Sequence, residues 1–273
     1  MQRGNIAANR VKPESSAPVR LHVLRSKRLS PHFMRVTLGR GDIERFRPMG
    51  YDQWFRLFLP TGEGSLDRIP ERLTTLSYFK LLAASKDARP VLRNYTVRAH
   101  RPDGPEGPEL DIDFVLHGSE PDAHAGPAAA WARSCAEGDA VVLVDEGVAF
   151  NPPEGVRQVL LAADESGLPA LAGVLASLPA DVTGWAVVEV PSAADRQELE
   201  GPAGIDVVWA DRTDASAVPG EAALAAARGL PVPEGPCYGW VVGESGLATG
   251  LRRHWVGQGL PKDRIMFCGY WRA

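Results

Sequence analysis

The rhythm of the chain changes at Asn151-Pro152-Pro153-Glu154-Gly155, and this change constrains the fold more than any other feature. Before it, Arg20–Arg25, Phe33–Leu38, Trp54–Leu59, Tyr95–Ala99, Leu110–Leu116 and Ala140–Val144 are short and rich in β-branched and aromatic residues. Their partial alternation is the pattern of strands buried on one face. Turn-forming segments such as Leu38-Gly39-Arg40-Gly41-Asp42 and Arg101-Pro102-Asp103-Gly104-Pro105 separate them, and one helical patch lies near Pro127–Cys135. Strands with so little helix between them predict an antiparallel barrel or sandwich. After the Pro-Pro step, Val159–Ala163, Gly184–Val190, Ile205–Ala210, Tyr238–Val242 and Arg264–Cys268 are near-continuous apolar runs. Helical stretches at Pro169–Ser177, Glu221–Gly229 and Leu247–Gly257 lie between them. This alternation predicts a parallel sheet with both faces covered. The expected organisation is a β-barrel domain at 1–153 and an α/β domain at 154–273. A cleft is expected between them. Ligands of open parallel sheets bind beyond the carboxyl ends of the strands.

Composition removes other classes. The 273 residues are 44% hydrophobic and 23% charged, the profile of an ordinary folded protein with room for two cores. No run approaches the ~18 apolar residues of a membrane helix. The first twenty residues have no apolar core behind their charges, so no secretory signal is expected. Cys135, Cys237 and Cys268 are too few and too scattered for a disulfide framework or a zinc site. No metal site and a cytoplasmic location are therefore expected. A net charge of −4 argues against nucleic acid, but the charge is segregated. Residues 1–47 carry eleven Lys/Arg against three Asp/Glu, whereas 181–250 carry three against eleven. Such segregation makes fields that steer anions.

Two motifs carry chemistry. In Arg93-Asn94-Tyr95-Thr96-Val97-Arg98, strand alternation sets Arg93, Tyr95 and Val97 on one face and Thr96 on the other. A guanidinium beside an aromatic ring and a hydroxyl suits a phosphate, a flat ring and a hydrogen bond. The second motif is Asp111-Ile112-Asp113-Phe114-Val115-Leu116-His117-Gly118, followed by Gly126-Pro127-Ala128-Ala129. Gly-Pro before an alanine run starts a helix, and its first amides are unpaired and face an anion.

Together these motifs resemble the siderophore-interacting protein family, FAD-dependent ferric-siderophore reductases among the ferredoxin-reductase-like flavoproteins. The strand-to-helix turn Ala163-Asp164-Glu165-Ser166-Gly167-Leu168-Pro169-Ala170, Val242-Gly243-Glu244-Ser245 leading into Leu251-Arg252-Arg253-His254, and the ending Cys268-Gly269-Tyr270-Trp271-Arg272 extend the resemblance from about Val19 to Arg272. The resemblance makes the first domain an antiparallel Greek-key β-barrel that binds FAD and the α/β domain a nucleotide-binding one, and it implies roles. Arg93 contacts the FAD phosphates, Tyr95 packs on the isoalloxazine and Thr96 bonds its redox-active edge, with Val97 and Arg98 beside them. His117 and Gly118 lie near the adenosine, and Gly126, Pro127, Ala128 and Ala129 hold the pyrophosphate. Tyr270 and Trp271 close over the flavin. Asp164, Glu165, Ser166, Gly243, Glu244 and Ser245 line the NAD(P)H side.

The chain departs from the family in two places. Ser119–Ala125 lengthens the link after His117-Gly118, and Ala129 stands where a hydroxyl is usual. The second domain also lacks G-x-G-x-x-G. The choice between NADH and NADPH stays open, since Asp164-Glu165 favours ribose hydroxyls and Arg212 suits a 2′-phosphate. On the last helix, Leu247, Leu251 and Trp255 have core spacing. Arg252, Arg253, Lys262 and Arg264 then form either a solvated face or a basic rim for an anionic ferric siderophore. No residue is expected to ligate iron or to act as a catalytic acid or base. A flavin converts the hydride pair of NAD(P)H into the single electrons that Fe(III) accepts. Two alternatives are a flavin reductase serving a small iron–sulfur electron-transfer protein and a non-catalytic siderophore carrier.

Overall fold

The computed structural model describes residues 4–70, 89–116, 126–214 and 216–273. Backbone contacts divide the chain into two compact units. One comprises Lys12–Met49 and Gln53–Gly147; the other comprises Met1–Val11, Gly50–Asp52 and Val148–Ala273. The N-terminal residues and the short Gly50–Asp52 strap therefore belong with the α/β unit, although their sequence position is among the barrel strands.

The first unit is an antiparallel sheet of β1 (Val19–Ser30), β2 (Phe33–Gly39), β3 (Trp54–Leu59), β4 (Val91–Thr96), β5 (Ala99–Gly104), β6 (Gly107–Val115) and β7 (Ala140–Gly147). Their order is β4-β3-β7-β1-β2-β6-β5. Among the described residues of this unit the one α-helix, α2 (Pro127–Ser134), follows the shorter N-terminal α1 (Ile6–Asn9) of the other unit and packs against β2, β4 and β6. Leu21, Val23, Val36, Leu38, Leu110, Ile112, Phe114 and Leu143 alternate inward and form the core. Two expectations are corrected. The ladder does not close into a barrel among the described residues, because β4 and β5 end the sheet without pairing. It curls instead: the rings of Tyr95 on β4 and Phe114 on β6 lie 4.4 Å apart. The expected strand Tyr95–Ala99 is also two strands. The Val97 amide donates to the Gln53 carbonyl at 2.9 Å, whereas the Arg98 amide donates to Asp111 at 2.9 Å. The chain thus changes partner between these residues, and most of the segment read as a turn at 101–105 belongs to β5, which ends at Gly104.

The second unit holds β8 (Gln158–Ala163), β9 (Thr183–Val190), β10 (Gly204–Asp211), β11 (Cys237–Glu244) and β12 (Ile265–Trp271), all parallel, in the order β10-β9-β8-β11-β12. Helices α3 (Leu168–Ser177), α4 (Glu221–Arg228) and α5 (Ser245–Gly257) join them. Between β9 and β10 the described chain holds only a 3-10 turn at Ala193–Asp195. As an edge strand β10 is largely solvated, with Val207 38% exposed, so it is not covered on both faces as expected. The far edge, β12, is met by the N-terminal segment. The Asn5 amide group donates to Ile265 O at 2.8 Å and accepts from Phe267 N at 3.0 Å, imitating one rung of a ladder. The strap is fixed by Asp52, whose buried carboxylate accepts from the amides of Ala149 and Phe150 and from the Trp240 indole at 2.8–3.0 Å.

Candidate functional site

The antiparallel unit brings β4 and α2 side by side. Helix α2 begins with Gly126 as its cap and Pro127 in the first turn, and among the described residues no side chain caps it. Its first amides have no acceptor within the helix. Ala128 and Ala129 are each only 5% exposed, and a Cβ added to Gly126 would meet nothing within 4 Å. Among the described residues the Ala128 and Ala129 amides meet no acceptor, and a helix start with such donors suits a phosphate. Arg93 on β4 is exposed, and its guanidinium folds back onto the Leu92 carbonyl at 2.8 Å. The elements are adjacent while the side chain is turned to its own backbone. An exposed guanidinium and a helix start form a donor set that fits a diphosphate such as that of FAD.

The other members of this motif divide. Tyr95 packs on Phe114, which in turn packs on Trp131 of α2 at 5.7 Å, so an aromatic row ties β4, β6 and α2 together. Burial pushes the Tyr95 phenol well above its ordinary range, against the opposing charge of Arg93. Thr96 and Val97 are buried, Val97 within the core. Arg98 faces Asp113 at 3.5 Å rather than standing free. His117 and Gly118, with the insertion Ser119–Ala125, lie outside the described residues.

Around Arg98 lies a network that sequence reasoning missed. Glu109, Asp111 and Asp113 alternate with core residues along β6, so they share the face opposite Leu110 and Ile112. Arg25 grips Glu109 through two bonds of 2.6–2.7 Å, and Arg35 grips Asp113 at 2.6–2.8 Å. Arg101 bridges Glu109 and Asp111 at 2.7–3.1 Å, and Thr37 donates to Asp111 at 2.7 Å. The acid at every second position was the available signal. The bond from Arg25, with help from Arg101, holds Glu109 down at about 2 from an ordinary 4.5, against the opposing cost of burial. A depressed carboxylate contributes stability that is complete above its unfolded value and lost as pH falls through the folded one. The wild-type chain is therefore expected to lose stability between pH 4.5 and 2, and Glu109→Gln to flatten that segment of an acid titration followed by circular dichroism.

In the α/β unit the carboxyl ends of β8, β11 and β12 meet at Asp164, which is fully buried. One oxygen accepts from the Ser166 amide at 2.9 Å, the Ser166 hydroxyl at 2.6 Å and the Gly167 amide at 3.3 Å, fixing the turn that leads into α3. The other accepts from the Glu244 amide at 2.6 Å and the Trp271 indole at 3.2 Å. Burial, reinforced by neighbouring Glu165, pushes Asp164 up to about 6, with the donors opposing. The sheet order reverses between β8 and β11, where ligands of such sheets bind. Glu244 caps α5 through the Gly246 amide, and the Ser245 hydroxyl donates to the Trp271 carbonyl at 2.7 Å. All six residues expected on the NAD(P)H side thus gather here, together with Trp271, although Asp164 is engaged by internal bonds. Gly243 has φ +130°, and a Cβ there would stand 2.6–2.7 Å from the Asp164 carboxylate. Gly243→Ala is expected to cost about 2 kcal/mol by thermal denaturation, from backbone strain and this clash.

Glu165 is also committed. Its carboxylate takes a bond of 2.6 Å from Arg212, which donates to Glu189 at 2.9 Å. Arg212 is only 10% exposed between these acids, so it does not stand free for a 2′-phosphate. The four cations expected as a rim do not form one cluster. Arg252 lies over the Phe267 ring at 4.8 Å and Arg253 is exposed on α5. Lys262 and Arg264 precede the amino end of β12, at the opposite end of that strand from Trp271. No metal-ligating cluster occurs among the described residues, and none of their helices is long and apolar enough to cross a membrane.

An antiparallel sheet with an uncapped helix start, followed by an open parallel sheet, is the ferredoxin-reductase-like architecture. Residues 22–150 match the siderophore-interacting FAD-binding domain and 156–273 match the siderophore-interacting protein domain. The chain belongs to the siderophore-interacting protein family. A siderophore utilization protein from T. fusca superposes with a TM-score of 0.77 at 30% identity, covering 96% of each chain. The ferric vibriobactin reductase ViuB of Vibrio cholerae is 27% identical over 93% of this chain and 89% of its own. The NADPH-dependent ferric-chelate reductase of Escherichia coli is 28% identical over 93% and 92%. Uncharacterized mycobacterial relatives are 34% identical over 70% of this chain, and the match spans 64% of their length.

Proposed function

We propose that the protein is an FAD-dependent ferric-siderophore reductase that takes electrons from NAD(P)H and releases Fe(II) in the cytoplasm. The observation that carries this reading is the Gly126-Pro127 helix start on α2, an element packed against β4 with its exposed Arg93, in the unit that matches the family's FAD-binding domain. Arg93 and the amides of Gly126, Ala128 and Ala129 hold the diphosphate; Tyr95, backed by Phe114, and Thr96 border the flavin ring. When bound, FAD supplies the exchange between a two-electron hydride donor and a one-electron iron acceptor. Asp164, Ser166, Gly243 and Ser245 shape the nucleotide end of the α/β unit, with Tyr270 and Trp271 on the strand beside them. The names of two relatives, a ferric vibriobactin reductase and a ferric-chelate reductase, support a ferric siderophore as substrate. Exposed Arg253 and Lys262 are free to attract its negative charge, whereas Arg252 is held by Phe267.

The test is anaerobic. The purified protein, loaded with FAD, is reduced with NADH or NADPH and mixed with a ferric hydroxamate or catecholate and an Fe(II) trap. Rapid reoxidation with Fe(II) appearing in the trap supports the reductase. A reduced flavin that persists beside the ferric complex overturns it, in favour of an electron donor to another protein. Failure to take up FAD overturns the cofactor assignment itself.

A further inference from the structure

Two arginines stand where the second strand of the parallel sheet ends, and the structure gives them different work. In dinucleotide-binding sheets the group that reads the ribose 2′ position follows the second strand, an acid selecting the hydroxyl and an arginine the phosphate. Here the second strand is β9, ending at Val190, and both Arg196 and Arg212 lie near that end. The Arg212 amide donates to the Val190 carbonyl at 2.9 Å, and its guanidinium is enclosed by Glu165 and Glu189, 2% and 0% exposed. Glu189 in addition accepts from the Ala223 amide of α4 at 2.9 Å. Withdrawing Arg212 would strand two buried carboxylates, so it is a strut.

Arg196 is held differently. It follows the 3-10 turn after β9 and makes two bonds of 2.6 and 2.9 Å to Asp211, the last residue of β10. Both partners are solvated, 44% and 28% exposed. An ion pair of this kind is nearly neutral in stability, and Asp211 is rehydrated when its partner leaves. A phosphate dianion offers the same two-pronged geometry with twice the charge.

We infer that Arg196, released from Asp211, is the residue that reads the 2′-phosphate and makes this chain prefer NADPH to NADH. The inference rests on the reductase reading and goes beyond it by choosing the donor. The NADPH-dependent relative is consistent with that choice.

The experiment is calorimetric titration of the full-length protein, loaded with FAD, with 2′,5′-ADP and with 5′-AMP. The unaltered protein binds 2′,5′-ADP more tightly. Arg196→Met is expected to weaken 2′,5′-ADP by about tenfold or more, the loss of a charge-assisted pair, and to leave 5′-AMP unchanged. Asp211→Asn, which frees Arg196, is expected to tighten 2′,5′-ADP severalfold and to lower the KM for NADPH but not for NADH. Equal losses for both nucleotides in Arg196→Met, or no loss, overturn the inference alone. A wild-type protein that binds 5′-AMP as well as 2′,5′-ADP does the same. Binding of neither nucleotide, with no flavin reduction by either donor, overturns the reductase reading together with it.

Discussion

Asp164→Asn is expected to lower the stability of the full chain by about 3 kcal/mol, because it turns an amide against two buried donors. The carboxylate accepts on both oxygens, from Ser166 and Gly167 on one and from Glu244 and Trp271 on the other. The asparagine oxygen can serve only one of these sets. Its NH2 group then meets either the Ser166 and Gly167 amides or the Glu244 amide and the Trp271 indole, and a buried N–H without an acceptor is costly. The loss also depends on pH. Asp164 sits at about 6 against an ordinary 3.8, so its contribution to stability is greatest below 3.8 and falls as pH rises to 6. The asparagine variant has no such titration. The difference between the two proteins, measured by urea denaturation, should therefore be larger at pH 4 than at pH 7. An indifferent pH profile would mean that the carboxyl is already ionised throughout this range.

Arg93→Ala is expected to weaken FAD about ten- to a hundredfold, measured by fluorescence quenching as FAD is returned to the stripped protein. The thermal midpoint of the stripped protein should not move, because the Arg93 side chain is exposed and among the described residues bonds only to the carbonyl of its neighbour Leu92. Arg93→Lys should recover part of the affinity, since an ammonium keeps the charge but loses the two-pronged geometry. Unchanged FAD affinity in Arg93→Ala would remove the guanidinium from the phosphate site and leave the α2 amides alone there.

The features legible in the sequence are those set by local physics. The helix begun by Gly126-Pro127 and the turn at Asp164-Glu165-Ser166-Gly167 follow from capping and from restricted backbone angles, and both stand where the residues predict them. The strands of the α/β unit follow from short apolar runs bounded by turns, and β8, β9, β11 and β12 match within a few residues. Local signals place Arg93 and Tyr95 on one strand. They do not tell that the chain exchanges ladders between Val97 and Arg98, because that depends on which carbonyls other strands present.

By itself, then, the sequence determined the two kinds of sheet, the change between them and the positions of the motif residues, because hydrophobic period and capping act over a few residues. Only the tertiary structure decided the partners. Arg25 meets Glu109 across 84 residues, Arg212 meets Glu165 across 47, and Trp271 meets Asp164 across 107. Strand register and core packing choose such pairs, and both are properties of the assembled sheet. This is why Arg212, apparently available for a phosphate in the sequence, is a buried strut in the fold, and why Arg196 is left to do the reading.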